Sequence, residues 1–449
     1  MAHAISLTNG TTTISLYTLT GDGIFVTGWD LATAGTGKDT ESEIAEGLDV
    51  LIQAGTAAAL QTLVETVEGL LWAADWRRRT QMGPRVFLQV QWDGEPSAWR
   101  SEVLGGKLEV AGTPDQWGRR KLEGTLALTR AAFWEGPETQ IPLSNGNGSN
   151  NTAGLTVWNH DDATAGHDNW AHIAAGAVTG VLPAPLKLEL KNTSGAAADY
   201  TNLYLANNVY SDPANFVHIL EGESRASGGT VTADATSSGG SFNSLYFSAG
   251  PYGEMRWALT AAQMQRTRGR WVRLLARFTY LSGAAMVQPL VMDSSGKVLW
   301  RGATYQQVAL PSYPLVDLGA VPLPPGGYSA GWDGITLALR FSTTAGPGRS
   351  LANLDFLQLT PTDSQRTIRL LDSDVANNEA LVDDGIEGIT YVSRSGGFAP
   401  LAAPRGGPLL VFPGPEQRIY VLQDEDFVEA NIDRTFAVRA WYRPRRLTI

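Results

Sequence analysis

The sequence predicts a mainly β protein with three folded parts. These are an α+β N-terminal domain in which one helix packs on a sheet or sandwich, a jelly-roll-like β-sandwich in the middle, and a small β segment at the C-terminus. Three observations carry this. Short runs alternate apolar and polar residues, the period of a half-buried strand. Turn formers are dense, with 49 Gly and 23 Pro in 449 residues, while charged residues are only 18%. A single stretch carries the 3.6-residue period of an amphipathic helix. The length exceeds one ordinary domain. Boundaries are placed at 1–143, 144–181, 182–363 and 364–449.

The first forty residues read as a hairpin. Ile14 and Leu16, then Ile24 and Val26, fall two apart, with a Gly-Asp-Gly turn at Gly21–Gly23. Leu48, Val50 and Ile52 share one side of a strand between Gly47 and Gly55. Thr40 and Glu43 match a capping box, which would start a helix there. The two glycines favour a strand from about Ala45. Thr56 can cap the helix that follows. Leu60, Leu63, Val64, Val67, Leu70 and Leu71 keep the i, i+3, i+4, i+7 spacing, with Trp72 and Trp76 near the end. Arg77, Arg78 and Arg79 sit where the helix dipole favours cations. They read as a solvated end or as a contact for an acidic neighbour. Strands resume with RVFLQVQW at 85–92. A hairpin at Gly105-Gly106 is expected to join SEVL to KLEV, and RKLEGTLALTRAAFWEG closes the domain.

Residues 144–181 are rich in Gly, Asn and Ser and read as a linker. Asp161, Asp162, His167, Asp168 and His172 lie in it. Their residue types suit a divalent ion, but their spacing matches no metal loop, so they are taken as polar linker. From Leu182 many short alternating runs with Gly and Pro turns point to an antiparallel sandwich. The chain ends on two strand-like runs around Pro413-Gly414-Pro415, the last of them basic. A neighbour is expected to pin that end.

The chemistry that composition excludes is broad. There is no Cys, so no disulfide, thiolate metal site or thiol nucleophile exists. The net charge of −11 argues against a nucleic-acid partner. No run approaches the length of a membrane span. The opening MAHAISLTNGTTTISL lacks a basic start and apolar core, so no secretory leader is expected. No Gly-x-Ser-x-Gly, HExxH or phosphate-loop motif occurs. The chain is therefore expected to have no catalytic residues, no cofactor and no enzymatic activity. Fourteen Trp can fill sandwich cores or form binding faces. Tyr252, Trp257, Tyr328 and Trp332 are the candidates for stacking on sugar rings.

LEGTLALTRAAFWEG, ending in Arg130, Trp134, Glu135 and Gly136, and the final GPLLVFPGPEQRIYVLQD and AVRAWYRPRRL carry a family likeness. With the β-helix-β order before them, they resemble the distal tail proteins, and related tail-tip and minor tail proteins, of long-tailed bacteriophages. The resemblance covers residues 1–136 and 400–449. It implies a self-assembled ring, commonly a hexamer, that links the tail tube to the tail hub and adsorption apparatus. It also implies an inserted sandwich similar to carbohydrate-binding modules, which residues 182–362 would supply, directed at host-surface polysaccharide. Asp355 falls where some such modules hold calcium, but no partner ligands are evident, so no metal is expected. Arg130, Trp134, Glu135, Arg443 and Arg445 are the assembly candidates.

The expected function is thus a structural virion protein of a phage tail tip, made in the host cytoplasm. Its sheet borders and apolar patches would be covered by neighbouring copies. The alternatives are a free carbohydrate-binding protein and a polysaccharide-degrading enzyme.

Overall fold

The computed structural model describes residues 2–18, 20–29, 31, 43–111, 121–149, 153–158, 166–193, 195, 198–199, 202–208, 217–250, 252–261, 263–264, 269–306, 315–323, 334–344, 349–370, 374–394, 397–399, 402–424 and 435–448. They fall into two compact units. Unit 1 is 1–139 with 179–183 and 443–449, and unit 2 is 140–178 with 184–442.

Unit 1 contains β1 (Ala2–Thr8), β2 (Thr13–Ser15), β3 (Gly23–Trp29), β4 (Glu43–Gln53), α1 (Ala57–Thr80), β5 (Val86–Trp92), β6 (Trp99–Ala111), β7 (Lys121–Ala131) and β8 (Trp134–Glu135). The main sheet runs β2-β1-β5-β6-β7-β4-β3, antiparallel throughout. Its two ends meet: Thr18 N–H donates to Ile24 O at 2.9 Å and Val26 N–H to Leu16 O at 3.0 Å, around a Tyr17–Phe25 bridge. The expected hairpin is present in this form. It also means that the ladder hydrogen bonds of these borders are used within the chain, contrary to the expectation that they stand open.

The helix forms as its spacing predicts. Thr56 Oγ1 accepts from Ala59 N–H, and Leu60, Val64, Val67, Leu70, Leu71 and Ala74 are buried against the sheet. Gln81 closes the helix in the left-handed region, its N–H on Arg77 O. Glu43 lies in β4 and caps no helix, so the strand reading holds there. The hairpin expected at Gly105-Gly106 does not form, because β6 runs straight through it with a bulge between Val103 and Gly105. The glycines serve close approach instead of a turn. A Cβ on Gly106 would stand 2.5 Å from Ala127 O, and one on Gly124 2.5 Å from Glu109 O.

Unit 2 begins where a linker was expected. β9 (Thr139–Ile141) leads to β10 (Ser144–Asn145), β11 (Gly148–Ser149), β12 (Leu155–Trp158) and β13 (Trp170–Ile173), then β14 (Ala184–Asn192), β15 (Ala198–Asp199) and β16 (Asn202–Asn208). The returning chain adds β28 (Gln365–Leu370), β29 (Asp374–Val375), β30 (Ala380–Asp384), β31 (Ile389–Arg394), β32 (Gly397–Ala399), β33 (Ala402–Arg405), β34 (Leu410–Val411), β35 (Gln417–Gln423) and β36 (Thr435–Tyr442), and β37 (Arg445–Arg446) follows in unit 1. Together they make one sandwich. One sheet is β11-β10-β13-β35-β16-β28-β33, the other β12-β36-β14-β30-β31-β32. Leu155, Val157, Ala171 and Ile173 from the supposed linker lie in its core with Leu186, Leu188, Val421 and Val438. Ser144, Asn145, Thr156 and His172 therefore occupy partly or fully exposed strand positions, while Asn169 is buried. Residues 364–442 likewise complete this sandwich and do not stand as a separate segment.

The second sandwich is inserted between β16 and β28. It comprises β17 (His218–Glu221), β18 (Thr230–Ala233), β19 (Ser241–Phe247), β20 (Gly253–Ala258), β21 (Trp271–Leu281), β22 (Ala285–Met292), β23 (Val298–Arg301), β24 (Tyr305–Gln306), β25 (Leu315–Pro322), β26 (Thr336–Thr343) and β27 (Ser350–Pro361). Its sheets are β18-β19-β27-β21-β25, with β17 on β27, and β20-β26-β22-β23, with β24 on β22. Val272, Leu274, Phe278, Leu354, Leu339 and Phe341 form its core. The expected mainly β character with one packed helix holds, while the sandwich boundary moves from 182 to about 217. The two sandwiches touch through a second apolar layer, Tyr204 and Leu422 against Leu275, Leu315 and Phe356. This explains why β16 and β27 are apolar or buried on both faces.

Candidate functional site

The assembly candidates converge inside unit 1. Arg130 is fully buried. Its Nε donates to Glu46, its Nη1 to Ala131 O at 3.0 Å, and its guanidinium lies 4.6 Å from the Trp134 ring centre. Trp134 is itself sealed in the core. Glu135 pairs with Arg445 at 2.8 Å and Arg100 at 3.4 Å, and β37 pairs with β8 there. Burial pushes the Glu135 carboxyl up, but Arg445, Arg85 and Arg100 outweigh it and hold it below the usual carboxylate range. Burial lowers the Arg445 pKa against the opposing pull of Glu135. Arg445 also stacks 3.9 Å over Phe133, and Arg443 Nη1 donates to Gly136 O at 3.0 Å. Trp134, Glu135, Arg443 and Arg445 clasp the end of the chain onto its own unit, while Arg130 is buried beneath them against Glu46 and Trp134. The neighbour expected to pin the terminus is thus β8 of the same chain.

The His and Asp residues of 144–181 separate. His160, Asp161 and Asp162 lie outside the described residues. His167 stacks on Trp158, Asp168 accepts from Gly146 N–H at 2.6 Å, and His172 Nε2 meets Glu416 at 2.7 Å. Asp355 sits at a bulge of β27 and binds Arg277 Nη1 at 2.8 Å. Burial raises its carboxyl well above the ordinary range; Arg277 opposes this, while Glu221 and Glu223 add to it. Among the described residues no three His, Asp or Glu side chains are arranged to hold a metal ion.

Of the sugar-stacking candidates, Trp257 is a core residue. It is 2% exposed and its Nε1–H donates to Glu221 O at 3.0 Å, so it cannot meet a ligand. Its place in β20 points inward, which aromatic character alone did not reveal. Tyr252 is exposed beside the Arg340 guanidinium, 5.3 Å from its ring centre. Tyr328 and Trp332 lie outside the described residues.

A better aromatic face lies on the half of the β19-β27-β21 sheet that the first sandwich leaves uncovered. Tyr246 is 63% exposed and Tyr280 39%. Tyr246 pairs with Leu351 and Tyr280 with Asn353, on either side of β27. Two strand spacings set them about 10 Å apart across the sheet. Between them Ser244 Oγ donates to Asn353 Oδ1 at 2.7 Å, which leaves the Asn353 amide N–H groups facing outward without a partner among the described residues. Two aromatic faces flanking a polar floor can stack on and hydrogen-bond a hydroxylated ring. The alternation of FNSLYF in β19 and RFTY in β21 was the available signal.

Unit 1 carries one further exposed aromatic pair. Trp72 and Trp76 are 65% and 46% exposed on the outer side of α1 and stack at 5.6 Å with 14° between planes. Exposed Met82 follows at the end of the same helix. Arg78 beside them pairs with Glu43 at 2.7 Å and Arg79 with Asp75 at 2.6 Å.

No family model and no curated protein matches this chain. Among solved structures, the enzymatically active domain of tailspike protein 4 of bacteriophage CBA120 is 13% identical over 35% of this chain and 19% of its own, with a TM-score of 0.21. The insecticidal delta-endotoxin Cry8Ea1 of Bacillus thuringiensis is 14% identical over 34% of this chain and 25% of its own, TM-score 0.23. The phage p2 baseplate in its activated, strontium-bound conformation is 8% identical over 79% of this chain and 97% of its own, TM-score 0.19. The chain spans about a fifth and a quarter of the length of the first two. Similarity at these TM-scores carries no argument about function.

Proposed function

We propose that this chain is a non-enzymatic structural component of a bacteriophage tail tip, which assembles with copies of itself and contacts host-surface glycan through its inserted sandwich. The family likeness of the unit 1 motifs motivates the tail assignment. The observation that carries self-assembly is the stacked Trp72–Trp76 pair. Two large indoles held in water on one helix face are costly unless a partner covers them, and such patches mark interaction surfaces. The interface in this reading is a helix face, not the sheet border that the sequence suggested. A ring then follows if one copy's helix packs on a different surface of the next, a heterologous contact that closes.

The test is the oligomeric state of the purified chain by light scattering, with electron micrographs of the particles. A ring that falls to monomers in the Trp72→Glu/Trp76→Glu double variant supports the reading. A monomer at high concentration, with no ring in the micrographs, removes it. The glycan part rests on Tyr246 and Tyr280. Binding of host cell-wall polysaccharide should weaken by about tenfold or more when both become Ala. Binding that survives that change would exclude this face.

A further inference from the structure

We infer that unit 2 holds a second ligand site, a cavity for an acidic sugar, between its two sandwiches. The cavity has a volume of about 110 Å³. That is roughly ten times what one ordered water requires. β13 and β35 form one wall; β17, β27 and the turn at 238–240 form the other. Its floor is apolar, built from Ile219 and Phe356.

The polar groups around that floor divide by charge. On the wall of β13 and β35 stands Arg418, whose guanidinium lies 4.3 Å from the Trp170 ring centre. It makes no ion pair among the described residues, and its Nε is buried without a hydrogen-bond partner. Asn169, next to Trp170 in the chain, lines the same cavity; its side chain is almost wholly buried, and its carboxamide has no partner among the described residues. Arg418 is only half-buried, but its sealed Nε and the buried Asn169 amide both lack acceptors, and an anionic acceptor in the cavity would satisfy the guanidinium and the amide together. On the wall of β17 and β27 is the Glu221 carboxylate, whose Oε1 accepts from Ser238 Oγ at 3.1 Å. It offers an acceptor wall to hydroxyl groups.

One ligand chemistry satisfies all three features. A carboxylate meets Arg418 and Asn169, hydroxyl groups reach Glu221, and the C–H face of a ring lies on Ile219 and Phe356. A hexuronate residue has this arrangement. A dianion would be repelled by Glu221, and a neutral sugar would leave Arg418 uncompensated. The inference rests on the glycan part of the proposed function and deepens it by naming a ligand class, but it uses none of the residues of the Tyr246 face.

The experiment is calorimetric titration of the full chain with sodium glucuronate, with glucose and sodium acetate as controls. Glucuronate should bind measurably more tightly than either. Arg418→Gln should weaken it by at least about tenfold, and Arg418→Lys should recover part of that loss. Tyr246→Ala should leave it unchanged. Should Arg418→Gln fail to fold, Asn169→Ala gives the same reading through the amide. Glucose binding as tightly as glucuronate, or glucuronate binding that is indifferent to Arg418 and Asn169, overturns the inference. No glucuronate binding alongside Tyr246-dependent polysaccharide binding also overturns it, while leaving the glycan reading of the other face intact.

Discussion

At Glu46 a buried carboxylate receives two donors, Arg130 Nε and Trp29 Nε1, the latter at 2.7 Å. Burial lowers the Arg130 pKa, and Glu46 opposes that fall. Such a pair adds little when intact but is expensive to break, because the remaining charge is left alone in an apolar site. Glu46→Ala should therefore destabilise unit 1 by about 3–5 kcal/mol in urea unfolding. Glu46→Leu combined with Arg130→Met should recover most of that loss. A double variant as unstable as Glu46→Ala would show that the pair stabilises on its own account. His218 gives the pH counterpart in unit 2. Burial lowers its imidazole from 6.5 to about 4. Between those values the unfolded chain takes up a proton that the folded chain refuses. Stability is then full above about pH 6.5 and falls as pH drops toward 4, by about 3 kcal/mol at the limit. Asp355 contributes with the opposite sign, since its raised pKa makes the folded state the better proton acceptor. Comparing wild type with His218→Gln removes that common contribution. Parallel stability profiles for the two proteins over this range would sink the assignment. Residue identity announced neither Arg130, read as an assembly contact, nor Trp257, read as a sugar platform, as a buried residue. Burial at a strand position depends on which face the sheet covers, and that is settled by strands far away in sequence.

The elements differ in how openly the sequence displays them, and the difference is physical. A helix is closed by local hydrogen bonds, so its period, the cap at Thr56 and the basic last turn all lie within one stretch of chain. A strand is completed by partners elsewhere. Gly105-Gly106 could mark either a turn or a close approach between strands, and only the pairing of β6 with β7 selects the second. The consequence can be measured. In a turn at Gly106 alanine would be tolerated. Here its Cβ would press on Ala127 O at 2.5 Å, backbone against backbone, where no side chain can yield. Gly106→Ala should cost about 1–3 kcal/mol, as overpacked positions do. Gly69→Ala on α1, where a Cβ would meet nothing within 4 Å, should stabilise by up to about 1 kcal/mol. Equal effects at the two positions would contradict the strand assignment.

On the scale of the whole molecule, the misplaced linker and the misplaced sandwich boundary have one origin. β14 pairs with β36, bringing Glu189 to Arg439, and β16 pairs with β35 and β28. A reading that groups neighbouring runs assigns such strands to separate domains, whereas the first sandwich is one body interrupted by another. The interruption has a simple exit. β16 and β28 are antiparallel partners, with Ala206 opposite Gln365 and Asn207 N–H on Ser364 O at 2.9 Å. The chain thus leaves and re-enters at adjacent points, and an Asn-Gly turn replacing residues 208–363 can close the same pair as a hairpin. The shortened chain should fold as the first sandwich with unit 1. It would, however, uncover Tyr204, Tyr420 and Leu422, which the second sandwich covers. Exchanging these three for Thr, a residue at home on an open strand face, should keep it soluble. If unit 1 drives assembly through Trp72 and Trp76, the shortened protein still forms the particle of the full chain but no longer binds polysaccharide. Loss of assembly together with the insertion would place the self-contact in the second sandwich and overturn the division of roles proposed for the two units.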